Sequence, residues 1–333
     1  MEALSEVQHE TNCHQPIDAS SPGECFVMRL KPCITGLIIG LSVAASAAHA
    51  DEVSLPYKSL SLNANLELAA GKRLADGAIL ITHGGLAHHG MEVISYLQKL
   101  LKARGYTSLA INLSLGLNNR HGMFDCNVTH RHLNDDAVDE IGAWMNWLKQ
   151  QDVKRVALLG HSRGGAQTAL YAVERDDEWV KAVVLIAPAT EDNTNPAIYP
   201  KRYQKQLMPL LQQARKLVDA GKGSAEIEHV GLMSCSDTTA TASTFVSYYG
   251  QDPRLDTPFL IPKLKKPTLI VVAASDEEVV GLDKKVAPLA GGTRIQMKVI
   301  EGADHTFRDL TADDAADAID AFLISTGYAT LLP

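Results

Sequence analysis

Near the middle of the chain an apolar run, Val156 to Leu159, passes directly into Gly160-His161-Ser162-Arg163-Gly164-Gly165, and a helical run, Ala166 to Val173, follows at once. A short buried strand that gives way to a helix with no linker must reverse within one or two residues. The serine between them then sits on a tight, strained turn, and its G-x-S-x-G flanks are glycine because a Cβ there would collide with neighbouring backbone. Such a junction needs a sheet with helices packed on its faces.

The rest of the chain fits an α/β fold with a mostly parallel central sheet flanked by helices. From residue 57 short β-rich runs alternate with helical periodicity. Ser59 to Leu68 alternates as an early strand, and Ala78 to Thr82 is a continuous apolar run ending in His83-Gly84-Gly85. A helix with Val93, Ile94, Leu97, Leu100 and Leu101 on one stripe stops at Arg104-Gly105. Thr107 to Leu113 reads as a strand, and Gly116 to Asn134 as a long polar loop of the kind that tends to be functional. Val138, Ile141, Trp144, Met145 and Leu148 mark the next helix, which begins near Asp135. Ala182 to Ala187 and Leu269 to Ala274 are further strands, but residues 188–268 between them exceed what one crossover needs. That interval holds an amphipathic run around Tyr203 to Asp219, a Gly/Ser break at Gly221 to Ser224 and a segment Thr241 to Tyr249, of which Thr244 to Tyr249 reads as cap packing rather than an aromatic binding box. The expected organisation is a core of residues 51–189 and 267–333 with a helical cap insertion over 190–266. Arg294 to Ile300 and Ala312 to Ile324 supply the last strand and helix.

The first fifty residues stand apart. Residues 33–47 are uncharged and mostly apolar, preceded by Arg29 and Lys31 and followed by Ala48-His49-Ala50, the layout of a secretory signal. The run is shorter than the roughly 20 residues a spanning helix needs. The expectation is a signal peptide over 28–50, cleavage after Ala50, no membrane span afterwards, and a periplasmic or secreted protein; an uncleaved anchor is the alternative. Residues 1–27 carry acids but no Lys or Arg, so they read as a non-native or disordered extension, with translation starting at Met28. Cys33 follows Lys31-Pro32 rather than small residues, which disfavours a lipoprotein. Cys126 and Cys235 remain after cleavage, either paired in an oxidising compartment or as two buried thiols.

A serine hydroxyl needs a base, and the base needs a carboxylate to orient it. After the Leu269 run comes Ser275-Asp276-Glu277-Glu278, and after the last strand comes Glu301-Gly302-Ala303-Asp304-His305-Thr306-Phe307. With the elbow at Ser162, this order of serine, acid and histidine resembles the α/β-hydrolase superfamily over residues 55–326. The resemblance implies Ser162 as nucleophile, His305 as general base and acid, and Asp276 as orienting acid. Glu277 or Glu278 offset into that place, and Asp304, are the other carboxylates, Asp304 reading better as a loop cap. It also implies oxyanion donors from the backbone N–H of Arg163 and of Gly85, or of Leu86 if the loop is shifted by one, with His83 orienting that loop. The implied activity is hydrolysis of a small-molecule carboxylic ester, less so an amide or thioester, through an acyl-enzyme, without cofactor or metal. A serine peptidase and a catalytically silent binding protein on the same scaffold are the alternatives.

A formal charge of −8, with no basic cluster interleaved with aromatics, argues against a nucleic-acid partner. His88-His89, His121 and His130-Arg131-His132 lack metal-ligand spacing, and Cys126 is a single thiol among them, so they read as a solvated or substrate-lining loop. Arg120, Arg131 and Arg163 together would give a cationic rim to an acidic substrate, against which stands the commonness of surface arginine.

Overall fold

The computed structural model describes residues 51–329. The expected extension over 1–27 and the expected leader over 28–50 lie outside the described residues. The chain opens with an antiparallel pair, β1 (Asp51–Tyr57) and β2 (Leu60–Glu67). There follow β3 (Ala78–Thr82), α1 (Glu92–Ala103), β4 (Ser108–Asn112), α2 (Asp136–Gln150), β5 (Val156–His161), α3 (Arg163–Arg175) and β6 (Val180–Ile186). The insertion contributes α4 (Tyr199–Tyr203), α5 (Leu207–Asp219), β7 (Glu226–Leu232), β8 (Cys235–Thr241), α6 (Ala242–Tyr249) and α7 (Thr257–Leu260). The fold closes with β9 (Thr268–Ala273), α8 (Leu282–Val286), β10 (Ile295–Ile300) and α9 (Leu310–Ser325).

The main sheet has the order β1-β2-β4-β3-β5-β6-β9-β10, parallel from β4 onward and antiparallel where β2 meets β1 and β4. Its central strands are buried on both faces because successive side chains alternate. Ile79, Ile81, Ala157, Leu159, Val184 and Ile186 join Leu97 and Leu101 of α1 and Ile319 and Leu323 of α9 in one core. Leu80, Leu158, Val183 and Leu185 join Ile141 and Trp144 of α2 and Leu170 of α3 in the other. The chain leaves β3 toward β4 on one side and returns to β5 on the other. Their C-terminal ends therefore flank a topological switch point, the place where open α/β sheets form a crevice. Thr82 of β3 is paired with Gly160 of β5 there, so the loops that follow the two strands are neighbours.

Two parts of the sequence reading need correction. The sheet starts before residue 57: β1 was not read because an exposed edge strand carrying Asp51, Glu52 and Pro56 lacks a clean apolar alternation. The insertion is not wholly helical either. Glu226–Leu232 and Cys235–Thr241 form an antiparallel hairpin whose polar composition hides it, although Ile227, Val230 and Leu232 are buried. The amphipathic run is also broken at Gln204, in a left-handed conformation between α4 and α5.

The long segment after β4 is held against this hairpin. His130 N–H donates to the Thr239 carbonyl at 2.9 Å, and Thr241 N–H donates to the His130 carbonyl at 2.9 Å. Cys126 and Cys235 are disulfide-bonded, with Cα atoms 5.6 Å apart. Among the described residues no helix is long and apolar enough to cross a membrane.

Candidate active site

The turn from β5 to α3 has the conformation that the sequence demands of it. Ser162 takes φ 56°, ψ −127°, a left-handed position costing roughly 1–3 kcal/mol for a residue with a Cβ. Surrounding bonds hold it there. Its N–H donates to Ile186 O at 2.9 Å, and its carbonyl accepts from Gly165 at 2.9 Å and Ala189 at 3.0 Å. The flanking glycines are set by close approach: a Cβ on Gly160 would lie 2.4 Å from Gly164 O, and one on Gly164 would lie 2.2 Å from His83 O.

Ser162 Oγ lies 2.8 Å from His305 Nε2, and His305 Nδ1 lies 2.8 Å from Asp276 Oδ2. Asp276 Oδ1 accepts from the N–H groups of Glu278 and Val279 at 2.8 and 2.9 Å. Burial pushes the Asp276 carboxyl up, but the His305 contact and these backbone donors outweigh it and hold the group below the usual carboxylate range. An ionised carboxylate only accepts, so Nδ1 carries the imidazole proton and Nε2 is left to accept from the serine. Of the neighbouring carboxylates, Glu277 is exposed, Glu278 pairs with Arg202, and Asp304 Oδ1 caps its own turn by accepting from Thr306 N–H and Oγ1.

Arg163 is the first residue of α3, so its N–H has no intrahelical acceptor. The loop after β3 turns through Ala87 N–H to Gly84 O at 3.0 Å, and Gly85 and Leu86 line the same cavity as Ser162. His83 Nδ1–H donates to Gly84 O at 3.2 Å, while Nε2 accepts from Leu113 N–H at 3.1 Å. Burial, with Arg120 nearby, holds the His83 imidazole well below its ordinary value and therefore neutral. Arg120 is buried as well, donating to the carbonyls of Leu113, Ala87 and Gly122. It belongs to the scaffold under the loop rather than to a cationic rim. Arg131 is exposed and paired with Glu226. Only Arg163 of the three lines the cavity.

His130 and His132 depart from the solvated-loop reading, since both are buried. They form a chain from His130 Nδ1 to His132 Nε2 at 3.1 Å and from His132 Nδ1 to the Tyr248 hydroxyl Oη at 2.8 Å. Burial lowers them to about 4 and about 3, which keeps both neutral. His121 stays exposed beside Glu52. His161 occupies the variable position between Gly160 and Ser162 of the elbow motif. It is buried, and its Nε2–H donates to the backbone carbonyl of His305 at 2.8 Å, with its own value lowered to about 4 chiefly by burial. No local signal marks that role, because the partner lies 144 residues away.

The cavity over Ser162 and His305 measures about 500 Å³. Leu86, Met91, Met123, Met233 and Val279 make much of its wall apolar, and Tyr203 and Met233 come from the insertion. The arrangement presents a hydroxyl, a base and uncommitted N–H groups to one apolar space.

A family model described as serine aminopeptidase, S33, matches residues 74–309. Among solved structures the chain is similar to Est1E from Butyrivibrio proteoclasticus, with 17% identity and TM-score 0.59 over 84% of this chain and 99% of that one. It is also similar to a monoacylglycerol lipase from Paleococcus ferrophilus, with 16% identity and TM-score 0.56 over 80% and 99%. The esterase domain of a Rhodothermus marinus protein gives 17% identity and TM-score 0.54 over 83% and 98%. At these identities the likeness is one of fold. No curated protein sequence matches the chain.

Proposed function

The chain belongs to the α/β-hydrolase superfamily, within the family described as serine aminopeptidase, S33, and from that premise we propose that it is an exported serine hydrolase that cleaves carboxylic esters through an acyl-enzyme. The observation that carries the reading is the line of 2.8 Å contacts from Ser162 through His305 to Asp276, opening on an apolar cavity. Ser162 Oγ attacks the ester carbonyl while His305 Nε2 takes its proton. Asp276 stabilises the imidazolium without itself becoming protonated. The N–H groups of Arg163 and of Gly85 or Leu86 receive the oxyanion. His305 then protonates the leaving alcohol, and water activated by the same nitrogen releases the acid and restores Ser162.

The family description makes a serine peptidase the second reading. An aminopeptidase must hold a substrate ammonium, and the carboxylate lining this cavity, Glu278, is already paired with Arg202. That pairing favours an uncharged or anionic ester. Export is supported by the leader pattern and by the disulfide, which suits an oxidising compartment.

A fluorophosphonate probe with mass-spectrometric readout tests the reading. The exported protein is expected to begin at Asp51 and to be labelled on Ser162, with label lost in Ser162→Ala and His305→Ala and with turnover of p-nitrophenyl esters but not of aminoacyl p-nitroanilides. Absence of label on folded protein would remove the claim of an activated serine, and turnover confined to the anilides would replace the esterase reading with the peptidase one.

A further inference from the structure

The charged side chains lining the cavity, apart from its histidines, are Arg163, Arg202 and Glu278. Arg202 and Glu278 neutralise each other across the cavity mouth. Arg163 is left without a counter-charge. Its guanidinium lies over the ring of Tyr248 at 5.4 Å, and Tyr203, Tyr248 and His132, which feel its field, are all held neutral by burial. Among the described residues it meets no carboxylate or carbonyl acceptor. Arg120 and Arg254, by contrast, spend their donors on carbonyls and carboxylates. A guanidinium has five N–H donors in a fixed fork, and contact with an aromatic face satisfies none of them. Half-buried beside the nucleophile, the group is built to receive an acceptor that arrives with the substrate.

Resting on the ester-hydrolase reading, we propose that Arg163 is a specificity-determining residue that binds a carboxylate of the substrate, so that the preferred substrates are esters carrying a carboxylate group rather than neutral alkyl esters. The planar fork of the guanidinium matches the two oxygens of a carboxylate, and the apolar wall formed by Leu86, Met91, Met233 and Val279 takes the hydrocarbon between that carboxylate and the ester. The backbone N–H of Arg163 and its side chain thus serve two different parts of one substrate. The side chain does not take part in bond making, and the chemistry remains that of Ser162 and His305.

The test compares two p-nitrophenyl esters of equal acyl length, the half-ester of a dicarboxylic acid and the n-alkanoate, on wild type, Arg163→Met and Arg163→Lys. The readout is the ratio of kcat/KM for the two esters within each protein, which cancels changes common to both, including any disturbance of the oxyanion site. The wild-type ratio is expected to favour the half-ester. It should fall by about 10- to 100-fold in Arg163→Met, as loss of a charge-assisted hydrogen bond implies, and by less in Arg163→Lys. If Arg163→Met fails to fold, Arg163→Gln gives the same comparison. A wild type that prefers the alkanoate, or a ratio unchanged within two-fold in the uncharged variant, overturns the assignment while turnover of the alkanoate leaves the esterase reading standing. Loss of turnover of both esters by the wild type overturns both.

Discussion

Glu140 gives the sharpest test of the physical reasoning, because a buried acid has been placed where it does not ionise at its usual pH. It lies on α2 at 3% exposure, with Oε2 accepting from Ser114 N–H at 2.8 Å and Oε1 bonded to Ser114 Oγ. Burial raises its carboxyl, the two Ser114 bonds lower it, and the balance stands at about 7 against an ordinary 4.5. Between those values the folded protein holds a proton that the unfolded chain has released. Stability therefore falls as pH rises through the window and levels off above 7. Each pH unit across it weighs about 1.4 kcal/mol, so the folded state loses about 3 kcal/mol in all. Glu140→Gln cannot ionise, and its amide oxygen still accepts from Ser114. The variant should therefore gain about 2.5 kcal/mol relative to wild type between pH 5 and pH 8, whatever its offset at pH 5. Urea unfolding of both proteins at the two pH values measures this directly, since groups common to both cancel. A difference between the proteins that stays constant with pH, within about 0.5 kcal/mol, would show that Glu140 ionises normally and that the burial argument is wrong.

Two other expectations follow from the geometry. The Cys126–Cys235 bond spans a sequence separation of 109, so Cys126→Ser with Cys235→Ser should cost about 2–5 kcal/mol by denaturant unfolding; a midpoint equal to wild type under non-reducing conditions would show that the bond does not form. His161→Ala removes the donor that fixes the His305 backbone carbonyl at 2.8 Å, and should lower kcat about 10-fold with KM and circular dichroism nearly unchanged. A change confined to KM would place His161 among groups that bind substrate rather than those that position the base.

What the sequence made legible was local or periodic. The elbow is written in consecutive residues, the apolar runs of β3, β5 and β9 announce buried strands, and Asp276 and His305 each follow a strand end, which puts them on the same edge of the sheet as Ser162. What stayed hidden depends on partners far away in the chain. The hairpin β7–β8 is polar on the side it shows, and its burial comes from packing with Tyr199, Phe245 and Tyr249. His130 and His132 sit in a polar stretch that a sequence reading assigns to solvent, yet Phe124 stacks on His130 at 4.4 Å and Tyr248 closes the other end. Hydrogen bonds within the group satisfy both nitrogens of His132 and Nδ1 of His130, while His130 Nε2 is buried without a partner.

The three arginines show why residue type alone cannot place a charge. Arg120, Arg131 and Arg163 are equally cationic in sequence, and their fates are set by acceptors that only the fold supplies. The Leu113 carbonyl at the end of β4 draws Arg120 inward, and burial, outweighing the attraction to Glu140, lowers it to about 10. Glu226 at the start of β7 takes Arg131 at the surface. Arg163 alone meets neutral aromatic groups, and so keeps its charge available to the cavity. The attachments of the insertion to the rest of the fold include the disulfide to the segment after β4 and the pair of Arg202 with Glu278. Glu278 also donates its N–H to Asp276, so the residue that takes the cap's arginine is part of the turn that holds the acid beside His305. Exposed ion pairs of this kind contribute only about 0–1 kcal/mol. The pair therefore adds little to stability, and the Asp276 turn is held by backbone donors that do not depend on it.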